Sequence, residues 1–292
     1  MSEVLYSVEH GVASITINRP EQRNALNPSV LRGEAWMSDV LYSVEDGVAS
    51  ITINRPEQRN ALNPAVLRGI REGLRNAVET RAARVITITG SGDKVFCAGA
   101  DLKAALSNAE GQGFGRGDFR QLLLDIYRCP KPTVALARGH VMAGGMGIFL
   151  ACDLGLACDD IHFSTPEVHV GMFPMMVLSL LYRHVGRKKA TEMLFLGERI
   201  PAPEAMQLGI VNHVLPRNEF EEGTAEFVAK ISGKSVAILR LGKEAIANAE
   251  DRVLEESLER LEAALARVMA TEDSKEGMRA FVEKRKPTWI DE

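Results

Sequence analysis

Three short stretches of this 292-residue chain carry residues whose types and spacing could do chemistry. Two are rich in glycine and alanine: Val95-Phe-Cys-Ala-Gly-Ala-Asp-Leu-Lys103, and Gly139-His-Val-Met-Ala-Gly-Gly-Met-Gly147 leading into Ala151-Cys-Asp153. Each follows an expected strand and precedes an expected helix, which points backbone N–H groups outward at the helix start. Small residues there let a ligand approach the main chain closely. Two such donors from separate loops can grip one carbonyl oxygen and stabilise negative charge developing on it. The third stretch, Phe163-Ser-Thr-Pro-Glu-Val-His-Val-Gly-Met-Phe-Pro174, sets Glu167 among Val168, Val170, Met172 and Phe173. Partial desolvation there raises a carboxylate's pKa and makes it a better base near neutral pH. Taken singly, the glycine stretches also read as packing at strand–helix turns, and Glu167 as an exposed loop or helix-capping residue.

Other reactive side chains have no partners at a recognisable spacing. His140 and His169 lie near these stretches without an acid or nucleophile to complete a site, and read as structural histidines. Cys97 reads as a small buried thiol, and Cys152 and Cys158 lack a second ligand pair, so no metal is expected. No phosphate-binding glycine fingerprint occurs. The Met172-Phe-Pro-Met-Met-Val177 cluster suits either an acyl-binding wall or the core.

The elements that must hold these stretches follow from pattern. Strands are expected at Val40–Glu45 and Val48–Asn54 around Asp46-Gly47, over residues 84–90, at Thr133–Ala137 and at Asp153–Ala157. Asn63-Pro64 opens a helix whose Val66, Ile70, Leu74 and Val78 share one face. Helices are expected over roughly 177–196 and 219–232, and Leu254, Leu258, Leu261, Leu265 and Val268 mark a last amphipathic helix. Residues 106–118 read as a mobile loop. Strands alternating with helices, with no linker, indicate one α/β domain ending in a helical section. A net charge of −4 invites neither nucleic acid nor an anionic membrane, and the longest apolar run, Val141–Cys152, is too short to span a bilayer. The N-terminal sequence lacks a signal-peptide pattern, so a cytoplasmic protein is expected.

Length alone allows two domains, but residues 1–33 recur at 37–69 with three differences: Glu3/Asp39, His10/Asp46 and Ser29/Ala65. Only the second copy continues into the amphipathic helix that could bury it. Residues 1–36 are therefore expected to be a surplus near-duplicate of the N-terminal hairpin. Residues 37–292 would form the single domain, with a core over about 37–230 and a helical region over about 231–292.

Together these stretches resemble the crotonase (enoyl-CoA hydratase/isomerase) superfamily across essentially all of 40–290. The resemblance rests on Ile53-Asn-Arg-Pro-Glu-Gln-Arg-Asn-Ala-Leu62, Phe96-Cys-Ala-Gly-Ala-Asp-Leu-Lys103, Lys131-Pro132, the later Gly-rich turn with Cys152-Asp153, and Thr165-Pro-Glu-Val. It continues through Ala205-Met-Gln-Leu-Gly-Ile-Val211 and Glu276-Gly-Met-Arg-Ala-Phe-Val-Glu-Lys-Arg285. It implies a ββα superhelix with a C-terminal helical trimerisation region, and trimers or dimers of trimers. It also implies acyl-CoA thioester substrates of fatty acid metabolism, with no cofactor beyond the CoA carried by the substrate. Carried over, the oxyanion donors are the N–H groups of Ala100 and Gly144, and Glu167 is the base. Gln58, Arg59 and Ala61, with Ala98, Asp101 and Leu102, match the CoA-contacting segments. Family hydratases use a second glutamate in the Gly-rich turn, where this chain has Gly147. The resemblance therefore implies isomerisation of an enoyl-CoA by a single glutamate, with enoyl-CoA hydration and non-catalytic CoA binding as alternatives. On this reading, a glutamate placed at 147 should raise hydration.

Overall fold

The Asp46-Gly47 turn closes the expected hairpin, and both of its residues have positive φ (48° and 82°), the combination that matches the twist of paired strands. It joins β3 (Val40–Glu45) to β4 (Val48–Ile53), antiparallel with Val40 opposite Ile53 and Glu45 opposite Val48. The structure is a computed structural model and describes residues 4–9, 12–17, 39–103 and 117–288. Most of the expected loop at 106–118 lies outside the described residues. The duplicate hairpin, β1 (Val4–Glu9) and β2 (Val12–Ile17), pairs in the same register but as a separate two-stranded sheet.

Asn63 caps α1 (Pro64–Glu79) as expected, its side-chain oxygen accepting from the Val66 N–H at 2.7 Å. Val66, Leu67, Ile70, Leu74 and Ala77 of that helix are buried over β4. The chain then winds in repeated turns. A strand in one sheet, β5 (Val85–Gly90), β7 (Thr133–Ala137) or β9 (Leu154–Cys158), is each time followed by a short strand in a second sheet, β6 (Val95–Cys97), β8 (His140–Met142) or β10 (His162–Ser164). Helices complete the turns: α2 (Asp118–Tyr127), α3 (Gly144–Ala151), and α4 (Met175–His184) with α5 (Arg187–Leu196). The expected single helix over 177–196 is thus two, broken at Val185-Gly186. The first sheet runs β12-β9-β7-β5-β4-β3, parallel except for β3, with β12 at His213–Leu215. The second runs β11-β10-β8-β6, with β11 (Ile200–Pro201) antiparallel at its edge. This is the ββα superhelix expected.

Phe149 of α3 ties the two sheets together. Its ring makes edge contacts with Phe96 of β6 and Phe163 of β10, at centroid distances of 6.0 and 5.1 Å. It also lies where a side chain on Gly155 of β9 would have to go. Two sequence motifs prove to be locks. Lys131 Nζ donates to the carbonyls of Ala77 and Thr80 at 2.6 and 2.8 Å, closing the end of α1. Asp153 accepts from the Thr133 N–H and hydroxyl and from Lys243 Nζ.

After α6 (Ala202–Gln207) and α7 (Phe220–Ser232), α8 (Val236–Ala270) and α9 (Glu272–Val282) end the described fold. Leu254 and Leu258 of α8 are buried, whereas Ile238, Leu241 and Ile246 are exposed. Among the described residues, no helix is long and apolar enough to cross a membrane.

Candidate functional site

Strands β6, β8 and β10 are adjacent and parallel, so their carboxyl ends lie in a row. The three chemically suggestive stretches leave the sheet there, at the end where open parallel sheets receive ligands. Ala98-Gly99-Ala100 follows β6, Ala143-Gly144 follows β8, and Thr165-Pro166-Glu167 follows β10.

Ala100 sits in an isolated parallel bridge with Leu62. The Leu62 N–H donates to the Gly99 carbonyl at 2.7 Å, and the Asp101 N–H donates to the Leu62 carbonyl at 2.9 Å. Because Leu62 uses the groups on either side of Ala100, the Ala100 N–H faces away from it. Gly144 is the first residue of α3, where an N–H has no intrahelical acceptor. The two loops press together. Gly99 has φ +83°, a Cβ on it would overlap that of Ala143, and the same atom would lie 2.9 Å from the Gly144 nitrogen. Gly145 is as tightly placed, 2.5 Å from the Cys97 carbonyl by the same measure. Ala143 holds φ 50°, ψ −126°, strained for a residue with a Cβ, while its N–H donates to Ser164 at 3.0 Å. Close approach thus brings the turns that carry the Ala100 and Gly144 N–H groups into contact. Burial pushes the Cys97 thiol up to about 12, so it stays protonated.

Glu167 stands on a 3₁₀ turn, Pro166–Val170. The residue is half-buried, but its carboxyl end points inward and Oε2 is buried with no partner among the described residues. Desolvation pushes this carboxyl up to about 7, only partly opposed by its own backbone N–H. The turn is braced on several sides. The Thr165 hydroxyl donates to the Met193 carbonyl at 2.9 Å. Gly197, ending α5, would bring a Cβ within 3.2 Å of Pro166 Cα. From α9, Gly277 packs so closely that a Cβ would overlap the Val170 carbonyl. His169, on the same turn, is exposed. His140 accepts from the His162 N–H through Nδ1 at 3.1 Å, a structural role, and burial lowers its pKa.

The CoA-segment candidates form one continuous ledge. Arg59 and Asn60 both take the left-handed conformation, with φ 54° at each. The Arg59 carbonyl accepts from the Ala98 N–H at 3.1 Å, which joins the two segments. Gln58 and Arg59 are exposed, Ala61 is buried, and Ala98, Asp101 and Leu102 are half-buried. The Asp101 carboxylate is engaged by Arg55 at 3.1 Å, so this side chain frames the ledge. Arg55 was not singled out from sequence, yet it also donates to the Ala61 carbonyl at 2.7 Å and lies 3.5 Å from Asp39. Asn60 was missed as well. It donates to the Ser91 and Val95 carbonyls and accepts from the Arg55 N–H, which fixes the turn.

Gly147 lies one helical turn beyond Gly144. A Cβ there would lie 3.2 Å from Phe119 Cζ, 3.5 Å from Leu123 Cδ2 and 3.5 Å from Val177 Cγ2. Position 147 is therefore faced by three apolar side chains, with the Phe119 ring the tightest of them. Of the Met172–Val177 cluster, Met172, Phe173, Met175 and Met176 are half-buried, and Pro174 and Val177 are buried.

Two alternating sheets wound with helices, with two glycine-bearing turns and a glutamate-bearing turn leaving adjacent parallel strands, define the crotonase class. The chain belongs to the enoyl-CoA hydratase/isomerase family, whose sequence profile matches residues 43–292. It is similar to the mitochondrial enoyl-CoA hydratase domain-containing protein 3 of Mus musculus, 34% identical over 284 residues, covering 96% of this chain and 82% of the relative. Among solved structures, it resembles a carnitinyl-CoA hydratase from Mycobacterium avium at TM-score 0.79 and 30% identity, over 87% of this chain and 99% of that one. Human enoyl-CoA hydratase domain-containing protein 3 is similar at TM-score 0.70 and 32% identity, over 86% of this chain and all of that one (100%).

Proposed function

We propose that the protein isomerises the double bond of an enoyl-CoA thioester, with Glu167 as its single base. The observation that carries this reading is the buried, unpartnered Oε2 of Glu167, its pKa pushed up to about 7. A carboxyl so poised is ionised often enough near neutral pH to take a proton and neutral often enough to return it. Glu167 removes a proton from C2 of a 3-enoyl-CoA. The electron pair moves onto the thioester oxygen, where the N–H groups of Ala100 and Gly144 hold the enolate. The same carboxyl returns the proton to C4 while the double bond moves to C2–C3, giving the 2-enoyl-CoA.

Gln58, Arg59, Ala61, Ala98, Asp101 and Leu102 form the proposed CoA ledge, with Asp101 acting through Arg55. The assembly proposed is a trimer or a dimer of trimers. Exposed Ile238, Leu241 and Ile246 on α8 and Phe281 on α9 support buried contacts between subunits.

The test is an assay of 3-enoyl-CoA and 2-enoyl-CoA substrates of several chain lengths, with Glu167→Gln as the control. Isomerisation abolished by Glu167→Gln supports the reading. Hydration without isomerisation overturns it in favour of a hydratase, and CoA binding with neither activity overturns it in favour of a non-catalytic binder.

A further inference from the structure

In the reading above, one glutamate remains; what stands in the place of the other decides what becomes of the bound acyl chain. Phe119 is the second residue of α2, and only 8% of it is exposed. The end of its ring, Cζ, lies 3.4 Å from where Gly144 would carry a Cβ and 3.2 Å from the same position on Gly147. One atom thus touches the helix turn that carries an oxyanion donor and the turn where a second carboxylate would be rooted. Leu123, one turn further along α2, and Val177 of α4 complete the contact at 3.5 Å each. All three side chains lack a hydrogen-bonding atom. Water held for attack on C3 needs several polar partners in a space large enough to admit it. Here the wall supplies none, and the Phe119 ring stands 3.2 Å from where a Cβ on Gly147 would lie.

We propose that Phe119 is a specificity-determining residue: its ring, backed by Leu123 and Val177, fills the second carboxylate's place and keeps water from the acyl chain. The loss at position 147 and the ring at 119 are then two halves of one arrangement. Restoring the glutamate alone fails because its side chain meets Phe119, and removing the ring alone fails because no second acceptor orients a water. Only both changes together open the hydration route. The proposal rests on the reading of Glu167 as base, and the experiment separates the two.

Isomerised product is measured from a 3-enoyl-CoA, and hydrated product from the 2-enoyl-CoA of the same chain length, for wild type, Gly147→Glu, Phe119→Ala and the double variant. In parallel, exchange of the C2 proton of a saturated acyl-CoA is followed in deuterium oxide. That exchange needs Glu167 and the two amide donors and is indifferent to the fate of a double bond. The double variant should raise the ratio of hydrated to isomerised product at least about tenfold over either single variant, a barrier difference of about 1.4 kcal/mol. A smaller rise, in protein that still exchanges the C2 proton, overturns the role of Phe119 and leaves the base untouched. Absence of exchange in wild type overturns the reading of Glu167 instead. Should the alanine variants lose exchange through misfolding, Phe119→Leu with Gly147→Glu shortens the side chain more gently and is judged by the same ratio.

Discussion

Replacing Glu167 by glutamine should stabilise the protein above neutral pH while removing its base. The carboxyl's pKa lies at about 7 in the folded chain, against an ordinary 4.5. The folded state therefore holds a proton that the unfolded state has already released between those two values. Stability must fall as pH rises through that window, since the folded form binds more protons there. Each pH unit costs about 1.4 kcal/mol. The whole window, from 4.5 to about 7, amounts to roughly 3 kcal/mol, fully lost above it. Glutamine resembles the neutral acid in shape and never ionises. Its own imperfect hydrogen bonding costs the same at every pH, so the diagnostic quantity is the change in the mutant–wild-type difference with pH. Urea unfolding at fixed protomer concentration should show Glu167→Gln gaining about 2–3 kcal/mol relative to wild type between about pH 5 and pH 8. A difference flat with pH would refute the inference that this carboxyl is buried and strained toward neutrality. The same titration should make the wild-type reaction rise with pH through about 7, because only the carboxylate takes the C2 proton.

Three further outcomes follow from the packing. Gly99→Ala forces a side chain onto a φ of +83° and into Ala143, so it should displace the neighbouring donor and lower C2-proton exchange by about 100-fold. CoA affinity, measured by calorimetry, should change far less. Arg55→Leu removes the guanidinium that engages the Asp101 carboxylate and the Ala61 carbonyl, which should cost about 1–3 kcal/mol in chemical unfolding. Arg55→Lys should recover only part of that, because lysine lacks the guanidinium fork. A chain starting at Met37 should fold and keep its activity, because β3 and β4 already occupy the sheet position their duplicate would need. Loss of folding or of activity in that truncation would assign residues 1–36 a real part.

The elements legible in the sequence were those fixed by local chemistry. Asp46-Gly47 specifies a hairpin turn by its backbone freedom, and Asn63-Pro64 specifies a helix start by capping. The break between α4 and α5 was less visible, because Leu181 and Val185 keep the helical spacing and only Gly186 interrupts it. At the site, the positions of Ala100, Gly144 and Glu167 could be placed on turns after strands. Their juxtaposition could not, since it depends on β6, β8 and β10 becoming neighbours in a sheet assembled from distant segments. Phe119 gave no signal at all, being one apolar residue on the buried face of an amphipathic helix. Arg55 stood within a quoted motif, but its partners at Asp39 and Asp101 come together only through the fold. Gly147 was conspicuous in the sequence as a missing carboxylate, whereas the ring packed beside it came into view only with the fold.

The contact between Gly277 and the Val170 carbonyl carries a practical consequence for anyone handling this protein. Helix α9 forms the floor under the turn that carries Glu167, the base in the proposed reaction. Beyond it, the Arg285 guanidinium grips Glu276 through two bonds, at 2.5 and 2.9 Å, and so fastens the segment after α9 to that floor. An affinity tag, fusion partner or trimmed carboxyl terminus that pulls α9 outward would therefore act as an active-site lesion, although it lies far from Glu167 in the sequence.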